Sequence, residues 1–201
     1  MTLVDEVLVR ELGSTSYVAT FDAMRKFTAE RNEATHDELW VTEHPAVYTL
    51  GQAAAPVFPA NDIPIIRSDR GGEVTYHGPG QVVLYALVDI ARRGIKVRAF
   101  VALLEQAVID VLGRGERRPG APGVYVDGAK VAALGIRVRR GCSYHGLALN
   151  VDMDLSPFAA IDPCGYPGLE VVDMRRLGYK ESQEKVGSDL AAALTRRICH
   201  A

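Results

Sequence analysis

Two side chains in this sequence carry the chemistry of a nucleophile and of a group that could activate it. Cys164 sits in Pro163-Cys164-Gly165-Tyr166-Pro167-Gly168, a rigid, glycine-flanked loop without the apolar periodicity that usually surrounds a structural cysteine. Cys142 and Cys199 fit that inert role better. A free thiol with a pKa near 8.5 is only a few per cent thiolate at neutral pH. An ammonium about 4 Å away, at an effective dielectric of about 20, contributes roughly 4 kcal/mol. That is enough for a shift of about three units before desolvation subtracts from it. A Cys-Lys pair is therefore physically sufficient to make a nucleophile.

Lys130 is the candidate partner. Asp127-Gly128, between residues 123–126 and 129–134, is a two-residue hairpin signal. That turn sets Val126 against Ala129, Tyr125 against Lys130 and Val124 against Val131. Lys130 then shares a face with Ala132 and Leu134, in apolar surroundings. A lysine there either snorkels to solvent at a sheet edge or points inward, where burial or a charged partner makes it catalytic.

Two further segments look like pocket walls. Residues 70–81 hold four glycines and one proline, yet Val74, Tyr76 and the following Val82-Val83-Leu84-Tyr85 read as strand. Glycine weakens a strand, so its presence points to close backbone approach or to bulges and turns. In residues 143–151, alternation puts His145, Leu147 and Leu149 on one side and Gly146 and Ala148 on the other, beside Tyr144 and Asn150. The glycine-alanine face leaves room for a ligand chain or for close packing against another element. Cys142 and His145 form a CxxH, but their odd offset in a strand separates them, which argues against zinc.

The elements that must position these groups follow from periodicity. Residues 6–12 read as a first strand, and Ser14 or Thr15 would cap a helix carrying Val18, Phe21, Met24 or Arg25, and Phe27 at helical spacing. Short strands are expected at 39–42, 46–50, 63–67, 73–76 and 82–90, with an alanine- and proline-rich loop at 52–61. A second helix spans 98–112 through Val101, Leu104, Val108 and Val111 or Leu112. Residues 135–139 and 143–151 add strand, and a closing helix at 181–198 buries Val186, Leu190, Leu194 and Ile198. Many strands with a few segregated helices give an α+β fold of mixed and antiparallel sheets.

At 201 residues the chain supports one core, and no linker divides it, so 1–201 reads as a single domain. A net charge of −2 with 24% charged residues argues against disorder and against a generally basic nucleic-acid binder. Arg137, Arg139 and Arg140, or Arg175 and Arg176, could meet an acidic protein partner. No stretch has the apolar length of a membrane span and the N-terminus lacks a leader pattern, so a cytoplasmic location is expected. Three cysteines without a CxxC do not make a disulfide scaffold.

Taken in order, five segments resemble the octanoyltransferases of lipoate synthesis, the lipoyl(octanoyl) transferases. They are His44-Pro45 through Gly51; Arg70 to Gln81; Gly123-Val124-Tyr125-Val126 with Lys130 to Gly135; Tyr144-His145-Gly146-Leu147-Ala148-Leu149-Asn150-Val151; and Pro163-Cys164-Gly165. One departure stands out: many members carry a Thr-Ser pair where this chain has Val172-Asp173. The resemblance implies the α+β fold of the lipoate and biotin protein ligase catalytic domains. It also implies transfer of an octanoyl group from octanoyl-acyl carrier protein, whose phosphopantetheine holds the acyl thioester, to a lysine of lipoyl domains. Those acceptors are the 2-oxoacid dehydrogenase complexes and the glycine cleavage H protein. Cys164 becomes the acyl-thioester nucleophile and Lys130 the residue that lowers its pKa. Substrate contacts fall on Arg70, Gly71, Gly72, Glu73, Val74, Thr75, Tyr76 and His77, on Ala133, Leu134 and Gly135, and on Gly146, Leu147 and Ala148. The enzyme is expected to work as a monomer with no cofactor, ATP or metal. The alternatives are an ATP-dependent lipoate or biotin ligase, an amidotransferase moving lipoyl groups, and a non-catalytic acyl-carrier-binding module.

Overall fold

Two strands buried along their whole length hold the centre of the larger of two sheets: β6 (Gln81–Leu87) and β10 (Cys142–Asn150). In a computed structural model that describes residues 6–56, 59, 61–161 and 169–201, this sheet has seven strands. Beside β6 lie β2 (Asp37–Glu43) and then β1 (Val7–Ser14); beside β10 lie β9 (Ala129–Arg139), β8 (Gly123–Val126) and the short β7 (Glu116–Arg117). β1 and β2 run parallel, as the intervening crossover helix α1 (Tyr17–Glu30) requires, and the remaining pairs are antiparallel. A second sheet has three strands in the order β4 (Ile65–Arg67), β3 (Val47–Leu50), β5 (Val74–His77). The expected α+β architecture with mixed sheets is the one observed.

Period-two alternation sorts the side chains of the large sheet into two layers. Val82, Leu84 and Ala86 of β6, with Leu147 and Leu149 of β10, meet helices α2 (Val97–Leu112) and α3 (Gln183–Cys199) through Phe100, Leu104, Val108, Leu190 and Leu194. Val83, Tyr85 and Leu87, with Trp40 of β2 and Tyr144 and Ala148 of β10, face the other way toward Met24 of α1. The small sheet has its own core, where Tyr48, Leu50, Val74 and Tyr76 meet Phe158 from a 3-10 turn over Ser156–Ala160.

Helix α3 buries the four residues its spacing predicts, but three local expectations are corrected. β1 continues through a bulge near Leu12 to Ser14, so the cap of α1 is Ser16 rather than Ser14 or Thr15. Val18 stays 45% exposed while Tyr17 and Thr20 turn inward with Met24. In α2 the buried stripe runs through Phe100, Leu104, Ala107 and Val108, leaving Val101 at its margin.

A fourth correction concerns the catalytic candidate. The hairpin forms as expected, with φ of 50° at Asp127 and 91° at Gly128, and Tyr125 does oppose Lys130. Val124, however, opposes Ala132 instead of Val131, because Val131 is the extra residue of a β-bulge. Directly opposed residues share a face, so Lys130 follows Tyr125 and Gly123, and Gly123 opposes Ala133. The bulge therefore moves Lys130 off the face of Ala132 and onto that of Ala133.

Candidate functional site

Lys130 points inward: it is 3% exposed, and its Nζ donates to the Pro122 carbonyl at 3.2 Å. The ammonium also lies 5.1 Å from the centre of the Tyr125 ring, which carries the Arg118 guanidinium at 4.2 Å. Room for the lysine stem comes from Gly123, at φ 150°, where a Cβ would stand 2.8 Å from Lys130 Cε. The Glu105 carboxylate, reaching across from α2, accepts the Gly123 N–H at 3.1 Å. Burial raises the pKa of Glu105, while the Gly123 N–H, Arg117 and Lys130 pull it down. The lysine main chain is clamped as well, because its N–H donates to Glu170 O at 2.8 Å and its carbonyl accepts from Val172 N–H at 3.0 Å. Those two partners lie six and eight residues beyond Cys164, which itself falls outside the described residues, as does all of 162–168.

A cavity of about 640 Å³ opens on the same face of the large sheet. Its floor is made of small residues brought into register: Ala133 opposite Ala148, and Gly135 opposite Gly146. Ala121 and Pro122 line it beside Lys130. The loop between β4 and β5 makes the facing wall. Gly71 N–H donates across to Ile136 O at 3.0 Å, and Ala53 N–H donates to Gly72 O at 3.1 Å, which fixes the loop between the two sheets. Arg70 Nη2 donates to Thr49 O at 2.6 Å and to Thr49 Oγ1 at 2.9 Å, so it anchors the loop on β3. Glycine is needed at residue 51 for this seating, since a Cβ there would meet Gly72 O at 2.1 Å.

Of the substrate contacts implied by resemblance, Arg70, Gly71, Gly72, Glu73, Val74, Thr75, His77, Ala133, Leu134, Gly135, Gly146, Leu147 and Ala148 all border this cavity. Tyr76 does not. It lies on the other face of β5, in the core of the small sheet, with its ring 5.6 Å from Tyr48 and 5.4 Å from Phe158. Cys142 is buried and its thiol is pushed up by desolvation, whereas Cys199 is exposed at the end of α3. The basic groups are engaged locally: Arg137 donates to Gln52 Oε1 at 2.7 Å, Arg175 pairs with Asp152 and Arg176 with Asp173.

At the end of the cavity away from Lys130 stand Tyr17, His77, Tyr85 and His145. His145 reaches this wall through a left-handed backbone, φ 62°, in mid-strand. That twist overturns the expected placement of its side chain with Leu147 and Leu149: its ring stacks on Tyr144 at 5.0 Å and meets Phe21 at 5.3 Å. Nε2–H donates to Asp69 Oδ1 at 2.8 Å, Tyr144 Oη donates to Asp69 Oδ2 at 2.5 Å, and the buried His145 Nδ1 has no hydrogen-bond partner among the described residues. Desolvation depresses the pKa of His145 despite Asp69. His77 falls to about 3, through burial first and then through the neighbouring His44. The histidines of this wall are neutral at pH 7. Sequence reasoning passed over Tyr17, Asp69, Tyr85 and Glu105 as site residues. Their positions follow from the α1 crossover and the loop geometry, which local patterns do not announce. Among the described residues no cluster of three or more His, Cys, Asp or Glu side chains could hold a metal ion. No helix among them is long and apolar enough to cross a membrane.

Comparison with known proteins places this geometry in a lineage. Residues 16–195 match the family model for the lipoyl protein ligase A/B catalytic domain. The chain is 58% identical to the octanoyltransferase of Thiobacillus denitrificans, over 96% of this chain and 91% of that one. It is 57% identical to the octanoyltransferase of Aromatoleum aromaticum, over 96% and 86%. Among solved structures, lipoate-protein ligase A bound with ATP superposes with a TM-score of 0.72 at 14% identity, covering 95% of this chain and 84% of the other. Biotin protein ligase from Aquifex aeolicus gives a TM-score of 0.55 at 10% identity, over 95% and 67%. At such identities these two likenesses speak for the fold alone.

Proposed function

The chain belongs to the octanoyltransferases of the lipoyl protein ligase A/B catalytic-domain family, and from that membership we propose that it carries an octanoyl group from acyl carrier protein to a lysine of lipoyl domains by way of an acyl-Cys164 thioester. The observation that carries the catalytic part is Lys130, buried and bonded through Nζ to Pro122, which lines the cavity floored by Ala133, Gly135, Gly146 and Ala148.

Cys164 thiolate attacks the carbonyl carbon of the octanoyl thioester, a new C–S bond forms, the carrier's C–S bond breaks, and the phosphopantetheine sulfur leaves as a thiol with a proton from the Lys130 ammonium. The lysine amine of the lipoyl domain then attacks the new thioester. An amide C–N bond forms, the Cys164–acyl bond breaks to leave the thiolate, and the proton lost by the amine passes to Lys130, which returns to its ammonium form. Before the first of these transfers and again after the second, Lys130 is an ammonium and stabilises the thiolate. Its side chain is supported by Pro122 and Tyr125 and its main chain by Glu170 and Val172, so little reorganisation is needed to hold it there. Exchange between thioesters is nearly isoenergetic and aminolysis runs downhill, so the reaction calls on neither ATP nor a metal. The apolar floor shelters the intermediate from hydrolysis. We place the enzyme in the cytoplasm, acting as a monomer on lipoyl domains of 2-oxoacid dehydrogenases and on the glycine cleavage H protein.

The test is intact-mass spectrometry after mixing with octanoyl-carrier in the absence of ATP. One octanoyl group should replace one hydrogen on Cys164, and apo-lipoyl domain should discharge it. Product formation only with octanoate and ATP would assign the chain to the ligases instead.

A further inference from the structure

The geometry points to Gln81 and Asn150 as positioning residues for Lys130, a cross-strand amide pair that holds the segment clamping the lysine main chain. This rests on the proposed acyl transfer and deepens it by assigning what fixes the lysine that the reaction depends on.

Both residues belong to the central strands. Asn150, the last residue of β10, lies directly opposite Gln81, the first of β6. Alternation puts the two buried side chains on the cavity face, with Ala148 and Val83. Gln81 Nε2 donates to Asn150 Oδ1 at 2.9 Å and to Tyr76 O at 3.3 Å, and Asn150 Nδ2 donates to Val172 O at 3.1 Å. Backbone carbonyls only accept, so Tyr76 O and Val172 O decide which end of each amide is nitrogen. Gln81 Oε1 therefore faces His77, whose Nδ1–H donates to it at 2.8 Å. His77 Nε2 is left as an acceptor toward Thr49 Oγ1, 3.4 Å away, and Thr49 Oγ1 accepts in turn from Arg70 Nη2 at 2.9 Å. Every link points the same way: Arg70, Thr49, His77 and Gln81 each donate to the next side chain, and Asn150 donates to Val172 O. Bonds aligned in this way polarise and strengthen one another.

The lysine stands at the far end. Val172 N–H donates to Lys130 O at 3.0 Å, Lys130 N–H donates to Glu170 O at 2.8 Å, and Met174 N–H donates to Asn150 O at 3.0 Å. Residues 170–174 thus bridge the start of β9 and the end of β10. Asn150 grips them from one side and Lys130 is held on the other. Replacing either amide by hydrocarbon strands a buried polar partner and loosens that grip.

Amide hydrogen exchange and steady-state octanoyl transfer, measured on the same variants, test this. In Asn150→Ala the amides of Lys130 and Val172 should exchange about tenfold or more faster, relative to those of α3, than in wild type. The kcat should fall about tenfold with the KM for octanoyl-carrier unchanged, because the lysine shifts and the cavity does not. Gln81→Met should move both readings in the same direction by a smaller factor, and it decides alone should Asn150→Ala not fold. Leu190→Ala supplies the control, a less stable variant whose kcat should stay as in wild type. Exchange unchanged in the folded variants overturns the clamp. Faster exchange with a kcat no lower than in Leu190→Ala overturns the positioning role, provided that Lys130→Ala itself is slow. Lys130→Ala at the wild-type rate overturns the proposed reaction, and the positioning role falls with it.

Discussion

The two faces of the seven-stranded sheet are built on opposite terms. The face toward α2 and α3 is apolar throughout, with Leu84, Leu104, Leu149, Leu190 and Leu194 fully buried. The face toward α1 and the small sheet buries Lys130, His77, His145 and Arg70 and leaves a cavity among them. On the first face, stability comes from removing apolar area from water. On the second, each polar group is held by named partners at a cost in desolvation, and the departures from regular strand geometry collect there: the Val131 bulge, the left-handed His145, and Gly123 beneath the lysine. One sheet thus carries a load-free wall for chemistry because its other face carries the stability.

Substitutions should separate the two faces. Cys164→Ser is expected to have the largest effect, a loss of about three orders of magnitude or more in thioester turnover, with the melting temperature unchanged. Leu190→Ala on the opposite face should invert that pattern, costing about 3 kcal/mol in denaturant unfolding while the rate per folded molecule stays as in wild type. Slow turnover in folded Leu190→Ala would break the division. Lys130→Ala should return the thiol to an ordinary pKa near 8.5 and lower the rate roughly 30-fold at pH 7. The deficit should shrink as pH rises, and iodoacetamide alkylation of Cys164 should shift to alkaline pH in step.

Histidine burial sharpens the contrast through pH. His44, His77 and His145 all have folded-state pKa values depressed by desolvation, so the unfolded chain binds more protons as pH falls. Their stabilising contribution is fully present above the unfolded value of about 6.5 and is lost as pH drops through the window down toward the folded values, about 3 for His77. Each contributes a slope of up to about 1.4 kcal/mol per pH unit. His77→Gln, measured by urea unfolding between pH 7 and pH 4, should flatten that fall, whereas Leu190→Ala should shift the whole curve down in parallel. Smallest of all, Glu105→Gln should cost about 1 kcal/mol by weakening the charged acceptor for Gly123 N–H. If it works by positioning Lys130, its alkylation profile should move in the direction of Lys130→Ala by a fraction of a pH unit.

Legibility in the sequence follows the same division. The stripe of α3, the Asp127-Gly128 turn and the pairing of Tyr125 with Lys130 were all readable, because each depends on local spacing or on a turn with two left-handed positions. The bulge was not, since Val131 is an ordinary β-branched residue and nothing beside it marks an insertion. His145 was misplaced because strict alternation assumes a uniform strand, and one residue at φ 62° resets the phase. The cap of α1 was blurred by three consecutive hydroxyl residues, Ser14, Thr15 and Ser16, of which β1 claims the first. Glycine content and strand alternation brought out the glycine-rich loop and part of the small-residue floor, and resemblance to a family added Ala133, Gly135 and His77, but neither named Tyr17 or Tyr85 for the site, whose side chains come from α1 and β6.

The short parallel bridge between Lys130 and Val171 also explains a departure in the chain. Where many relatives by resemblance have a Thr-Ser pair, this sequence has Val172-Asp173, yet residue 172 meets the lysine through its backbone N–H. Such a joint is written in backbone, so evolution is free to respell it with any residue that keeps an N–H. Proline is the one letter that would erase it.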